Sequence, residues 1–292
     1  MRRLRIPAIL LVAYLLLISC AGLRDKMVLH PDTRPLHAEG AQEITFKRSD
    51  GGTTSGFIAF SPGCADNTPE AFVLDFCGNG TRAEMVAAAI AWRWQNRPVE
   101  AITVNYPGYG TGTGPADMDT MPAMALDAFD SVAHLAAGKP IIVTGHSLGC
   151  TAALYVGANR PVAGLVLENP PPLKQLIIGR FGWWNLWLGA IPVAYQIPHQ
   201  LDTIANARNC HAPAVLISAI HDDYIPPKYH HMVFDVYAGP HFSVPLNGGH
   251  NTPPTLAPNF QPALDWLWHQ IALPPALPTT TPSTIPSRNW AG

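Results

Sequence analysis

The sequence predicts an α/β fold: a mostly parallel central sheet with helices on both faces and a small cap inserted late in the chain. Two observations carry this. Short apolar runs within "AFVLDFCGNGT", "KPIIVTGHS", "VAGLVLENPP" and "APAVLISAIHDD" barely alternate with polar residues, so both faces of those strands are expected to be buried. Stretches of helix formers separate them, and parallel strands need crossovers of that kind. The composition agrees. A chain of 292 residues with 48% hydrophobic and 13% charged residues can bury a large core and is not mostly disordered. A net charge of −2 gives no basis for binding nucleic acid.

The chain opens with "MRRLRIPAILLVAYLLLISC". Basic residues at Arg2, Arg3 and Arg5 precede an apolar run from Ile6 to Ile18, which is shorter than the roughly 20 residues of a stable membrane-spanning helix. That is the layout expected of a secretory signal. Its end, Leu17-Ile18-Ser19-Cys20, resembles the bacterial lipobox, in which the cysteine is lipidated and becomes the first mature residue. Residues 1–20 are therefore expected to be a signal peptide with a lipobox cysteine. Ala21 after that cysteine favours the outer membrane under this resemblance. An uncleaved signal anchor is the alternative, and either route exports the domain and leaves it membrane-anchored. Export permits disulfides. Cys64, Cys77, Cys150 and Cys210 allow three complete pairings, and free thiols stay open as well.

Residues 21–40, with Pro31 and Pro35 and no periodicity, are expected to form a tether, and the folded domain to occupy 41–273. "AQEITFKRSDGGTTSGFIAFSP" reads as two strands around a turn. "AFVLDFCGNGT" is a strand ending in glycines, "RAEMVAAAIAWRWQ" a helix, and "EAITVNYPGYGTGTG" a strand breaking into a Gly/Pro loop. "MPAMALDAFDSVAHLAA" is helical, and "KPIIVTGHS" is a strand that runs into a further helix. "VAGLVLENPP", "PAVLISAIHDD" and "HFSVPLNGGHN" supply three more strands, and "NFQPALDWLWHQIA" a closing helix. The alternation breaks at about 173–209, where Trp183, Trp184 and Trp187 stand among Gly and Pro. This is expected to be a helical insertion packed on the core, and a cap with an aromatic wall is compatible with it. Residues 274–292 are dense in Pro and Thr and read as a disordered tail.

The candidate chemistry centres on "TGHSLGC". A nucleophile elbow is a tight strand-to-helix turn that lifts a serine above the sheet, and it needs small residues two before and two after. Gly145 and Gly149 flank Ser147 in that way. Such a serine needs an acid and then a base further along the chain. Asp222, at the end of the strand in "HDDYIPP", is the preferred acid, with Asp223 one residue away as the alternative. His250, on the glycine loop in "NGGHN", is the preferred base. Of the other histidines, His146 inside the elbow is expected to be structural and His221 to adjoin the acid. His230, His231 and His241 are expected on surface-like segments. An oxyanion hole would use the amide of Leu148 and, from the loop "DFCGNGT", the amide of Asn79, with Gly78 and Gly80 letting the backbone turn inward. No Cys/His cluster has metal-ligand spacing, and no metal or cofactor is expected.

From about residue 56 to 272 the chain resembles the α/β-hydrolase superfamily, and is most similar to membrane-anchored serine hydrolases of the ABHD group and their bacterial relatives. "FCGNGT", "VNYPGYGTGTG", "TGHSLGC", "LVLENPP", "HDDYIPP" and "NGGHN" carry the resemblance. It implies a triad of Ser147, Asp222 and His250, with Asn79 and Leu148 as amide donors. The family usually has histidine where this chain has Cys77. The expected activity is a serine hydrolase, carboxylesterase- or lipase-like, acting on an ester or thioester of a small acyl substrate. A peptidase of the same fold and a non-catalytic envelope scaffold are the alternatives.

Overall fold

The computed structural model describes residues 21–64, 67–183 and 188–272. The lipobox with Cys20, the tail from 274, and Trp184 and Trp187 lie outside the described residues. No helix among the described residues is long and apolar enough to cross a membrane.

Eight strands form one sheet: β1 Gln42–Lys47, β2 Thr53–Phe60, β3 Ala71–Phe76, β4 Val99–Val104, β5 Ile141–His146, β6 Gly164–Glu168, β7 Ala214–Ala219 and β8 His241–Leu246, in the order β1-β2-β4-β3-β5-β6-β7-β8. The pairs β1·β2 and β2·β4 are antiparallel; every other pair is parallel. The helices are α1 Ala21–Val28, α2 Ala83–Trp92, α3 Met121–Ala136, α4 Gly149–Asn159, α5 Leu173–Phe181, α6 Ala190–Tyr195, α7 Thr203–Asn209, α8 Pro227–Phe234 and α9 Phe260–Ala272. The predicted strands are all present. The insertion after β6 holds α5, α6 and α7.

The apolar runs lack alternation because each face of the sheet has its own core. Phe72, Leu74 and Phe76 of β3 point into one cluster with Met124, Phe129, Val143 and Leu154, while Val73 joins Trp94, Ile142, Val215 and Leu264 on the other side. The chain leaves β3 for β4 on one flank and returns to β5 on the other. The sheet therefore reverses its winding between β3 and β5, and crevices in such sheets form beyond the carboxyl ends of the strands at that point. Phe76 pairs with Gly145, which sets the loop after β3 beside the predicted elbow.

One expectation is corrected and one open choice is decided. Residues 21–40 are not a plain tether, because they begin with α1 and pack on the domain. Arg24 is buried, donates to Asp25, Asp117 and Asp119, and reaches the carbonyl of Gln196 beside α6 at 2.8 Å. A guanidinium offers five donors in a fixed fork, so one side chain can tie α1 to two distant loops. The four cysteines from Cys64 onward are buried free thiols, so no disulfide forms among them.

On the α2 side of the sheet lies a polar inclusion. Asp75 on β3 accepts a hydrogen bond from Thr144 on β5, and Glu168 at the end of β6 pairs with Arg93 at 3.1 Å. Burial pushes the Asp75 carboxyl from 3.8 up to about 6, even though Thr144 and the charge of Arg93 favour the ionised form. The folded protein then holds this proton where the unfolded chain has released it. The associated stability is fully present below about 3.8 and is lost as pH rises through about 6. Asp75→Asn cannot lose a proton. Urea unfolding across this window should show wild type losing about 3 kcal/mol relative to the variant, and parallel curves would refute the assignment.

Candidate active site

Ser147 sits on a backbone turn that few residues other than glycine tolerate. Its φ is +52°, between the extended residues of β5 and the start of α4. The strain is held from both sides: the Ser147 amide donates to the Glu168 carbonyl at 2.8 Å, and its own carbonyl accepts from the Cys150 amide at 3.0 Å. The flanking glycines are required by contact. A Cβ on Gly149 would lie 1.9 Å from the carbonyl oxygen of Phe76, and one on Gly145 would lie 2.6 Å from the carbonyl carbon of Gly149. Only bare backbone lets α4 approach β3 and β5 this closely. The amide of Leu148 falls at the N-terminus of α4, where backbone N–H groups lack intrahelical acceptors and the helix dipole favours negative charge.

Asp222 and His250 converge on that serine. His250 Nε2 is 3.0 Å from Ser147 Oγ, and His250 Nδ1 is 2.6 Å from Asp222 Oδ2. The other carboxylate oxygen of Asp222 accepts from the amides of Tyr224 at 2.9 Å and Ile225 at 2.7 Å. Burial alone would raise this carboxyl, but the His230 and His250 imidazoles and the Ile225 amide outweigh it and hold the group well below the usual carboxylate range. Of the two candidate acids, Asp222 is buried and faces the histidine, while Asp223 is exposed to solvent.

The His250 backbone is fixed as firmly as its ring. Its carbonyl accepts from His146 Nε2 at 3.0 Å and from Asn169 Nδ2 at 3.1 Å. A carbonyl can only accept, so His146 carries its proton on Nε2; burial lowers the proton affinity of that ring and keeps it neutral. His146 is thus structural, as expected. Asn169 was not singled out in the sequence. It follows β6 at φ +54° and also accepts from the Ala219 amide at 2.8 Å, joining β6, β7 and the histidine loop. Asparagine is among the few residues that take this conformation readily, so the "EN" at the strand end was the available signal.

On the upstream side, Gly78 packs against the His146 ring, with space too small for a Cβ, which would sit 2.7 Å from Nδ1. The Asn79 side chain is turned away toward the N-terminal segment, accepting from the His30 amide at 3.0 Å and from Tyr109 Oη at 3.0 Å, and donating to Val28. Cys77 lies in an apolar nest with Phe57, Ala83 and Ala87, and its carbonyl accepts from Tyr106 Oη at 2.8 Å. Burial pushes its thiol well above the ordinary range. The residue acts as a small apolar side chain.

His230 departs from expectation. It is fully buried on α8, with Nε2 3.4 Å from Asp222 Oδ2, whereas His231 and His241 are exposed. A helix as short as α8 shows little periodicity, and "YHHM" reads as polar. A cavity of about 400 Å³ beside α8 and β8 includes Ser218, His231 and Tyr237 in its lining but none of Ser147, Asp222 or His250. Among the described residues no group of three or more His, Cys, Asp or Glu could hold a metal ion.

Sheet order, elbow and histidine loop together define the α/β-hydrolase fold. Residues 89–178 match a family model described as an alpha/beta hydrolase of unknown function. An esterase from Pyrococcus furiosus superimposes with a TM-score of 0.66 at 12% identity, covering 84% of this chain and 98% of that one. An alpha-beta hydrolase from Vibrio vulnificus gives 0.59 at 21% identity, over 80% and 81% of the two chains. The acylaminoacyl peptidase of Pyrococcus horikoshii gives 0.55 at 15% identity, over 76% of this chain and 39% of the peptidase. In sequence, a multifunctional-autoprocessing repeats-in-toxin of Vibrio vulnificus is 30% identical over 142 residues, 45% of this chain but 3% of the toxin. An uncharacterized protein of Mycobacterium tuberculosis is 24% identical over 184 residues, 62% of this chain and 63% of that protein. The chain thus spans less than two thirds of the length of these two sequence relatives.

The strained φ of Ser147 should be measurable without any substrate. Glycine relieves a left-handed backbone whereas alanine does not, so Ser147→Gly should be more stable than Ser147→Ala by about 1 kcal/mol in urea unfolding. Equal stabilities would argue against the left-handed turn.

Proposed function

We propose that the chain is a serine hydrolase that cleaves a carboxylic ester or thioester through an acyl-enzyme. The observation that supports this most is the unbroken relay from Ser147 through His250 to Asp222, at 3.0 and 2.6 Å. In this reading Ser147 Oγ attacks the acyl carbonyl carbon while His250 Nε2 takes its proton. The tetrahedral oxyanion is met by the amides of Leu148 and Asn79. As the intermediate collapses, the bond to the leaving alcohol or thiol breaks and His250 returns the proton to it. Water then repeats the sequence on the acyl-enzyme, its proton passing to His250 and on to Ser147, with release of the carboxylic acid. Asp222 holds the ring with Nδ1–H toward itself and stabilises the imidazolium in both halves. Water attack in the second half needs no further group.

A fluorophosphonate probe should label the wild-type protein and fail to label Ser147→Ala. An unlabelled wild type would leave only a scaffold role, and labelling of the variant would displace Ser147. Turnover of p-nitrophenyl esters should exceed turnover of aminoacyl anilides by orders of magnitude; the reverse order would make the chain a peptidase, an activity named for one structural relative.

We further propose that Cys20 is lipidated and anchors the domain at the cell envelope, on the strength of the basic–apolar–"LISC" layout. Cys20→Ala should then lose its lipid label and leave the membrane fraction. A variant that stays in that fraction, with wild type unlabelled, would indicate an uncleaved anchor instead.

A further inference from the structure

A buried histidine touches the proposed relay without a place in it. His230 is fully buried, its Nδ1 lies 2.9 Å from Ser218 Oγ on β7, and its Nε2 lies 3.4 Å from Asp222 Oδ2. That oxygen is the one that binds His250 Nδ1. Two imidazoles therefore flank a single carboxylate oxygen, and His230 Nε2 has no aligned hydrogen-bond partner of its own.

The tautomer follows from what each atom can do. If Nδ1 carried the proton, the bare lone pair of Nε2 would face an ionised carboxylate in a dry site, which is repulsive. If Nε2 carries it, the proton lies on the side of the ring that faces the carboxylate, 3.4 Å from Oδ2, and Nδ1 is free to accept from the Ser218 hydroxyl. Only this second arrangement suits all three groups. Burial lowers the proton affinity of the ring despite the neighbouring Asp222, so a single proton on a neutral imidazole is the state to consider. We propose that His230 is a positioning residue of the site: Ser218 fixes its tautomer, and its Nε2–H orients the Asp222 carboxylate so that Oδ2 serves His250. The inference rests on the triad reading but not on the identity of the substrate.

The consequence for pH dependence has a definite sign. A donor on Asp222 draws down the basicity of the carboxylate and weakens its hold on the His250 imidazolium. Removing the donor strengthens that hold, so the acid limb of kcat/KM should move to higher pH. The charged and titratable groups around the pair are few. His250 faces Asp222, His146, Tyr224 and His230; His146 in turn feels Glu168 and Arg93; His230 faces Asp222, His250 and His231.

The test compares wild type, His230→Leu and His230→Gln on a p-nitrophenyl ester across pH. In His230→Leu the acid limb should rise by about half to one pH unit, the scale of one hydrogen bond to a charged group. His230→Gln can place an N–H near the former Nε2 and should return the limb toward wild type. A packing role alone would lower activity in both variants and leave the limb in place, which would overturn the proposal. Nitrogen NMR of His230 in the wild-type resting protein supplies a readout that needs neither a folded variant nor turnover. A proton on Nε2 across neutral pH is expected, and one on Nδ1 would overturn the proposal. If wild type hydrolyses no ester, the function reading fails, and the NMR result still decides the tautomer.

Discussion

The site depends on how closely α4 is allowed to approach the ends of β3 and β5. No side chain at Gly149 could coexist with the Phe76 carbonyl, and none at Gly145 with the backbone of Gly149. With both absent, the chain turns from strand to helix in the space of one residue. That residue is Ser147, held at φ +52°. Strain of this kind persists only where neighbours over-determine it. Here the Glu168 carbonyl, the Cys150 amide and the packed helix supply the constraint. The same compression brings the Leu148 amide to the head of α4 and the loop after β3 alongside it. The proposed nucleophile and the proposed donors are therefore consequences of one steric fact.

Around that turn the molecule places its polar groups so that each loop is held by its neighbour. Glu168 accepts from Ser147 through its carbonyl and pairs with Arg93 through its side chain. Asn169, the next residue, holds the His250 carbonyl and the Ala219 amide. The ends of β5, β6 and β7 and the histidine loop are thereby linked by directed bonds rather than by apolar contact alone. Such bonds fix distance and angle together, which a relay needs, because a displacement of about 1 Å at a reacting group can cost two orders of magnitude in rate. The buried Asp75 beneath it is the thermodynamic cost of that polarity, since its ionised form is disfavoured in the same dry layer.

Much of this was legible in the sequence, and the parts that were not share a cause. The strands β3 to β7 could be read because their apolar runs are short and bounded by glycine or proline, and β1 and β2 because a glycine turn lies between them. Ser147, Asp222 and His250 could be read because each stands at a strand exit with a local signature, and the structure brings the three together. His230 could not, since its partners Ser218 and Asp222 are 12 and 8 residues away and nothing in "KYHHMVF" marks one histidine of the pair as buried. Asn169 had only a strand-end position to announce it. The N-terminal segment differs from its sequence pattern for the opposite reason. Its prolines and lack of periodicity suggest a tether, but a single arginine with partners near residues 117 and 196 anchors it. Long-range ion pairs leave no local pattern.

That anchoring changes what a membrane attachment would mean for this domain. A flexible tether insulates a catalytic unit from its anchor, because the linker absorbs orientation. Here α1 begins one residue after Cys20, Arg24 fastens it beside α6, and Val28 and His30 close over the Asn79 side chain. Asn79 is the proposed upstream oxyanion donor, so the segment nearest the proposed lipid is also what fixes the loop that carries the donor. Cys77 is an apolar contact with no side-chain hydrogen bond to brace the loop from within, and Tyr106 and Tyr109 hold it from outside. The N-terminal segment therefore belongs to the active-site framework, and a lipid on Cys20 would fix the domain's orientation at the surface as well as its location.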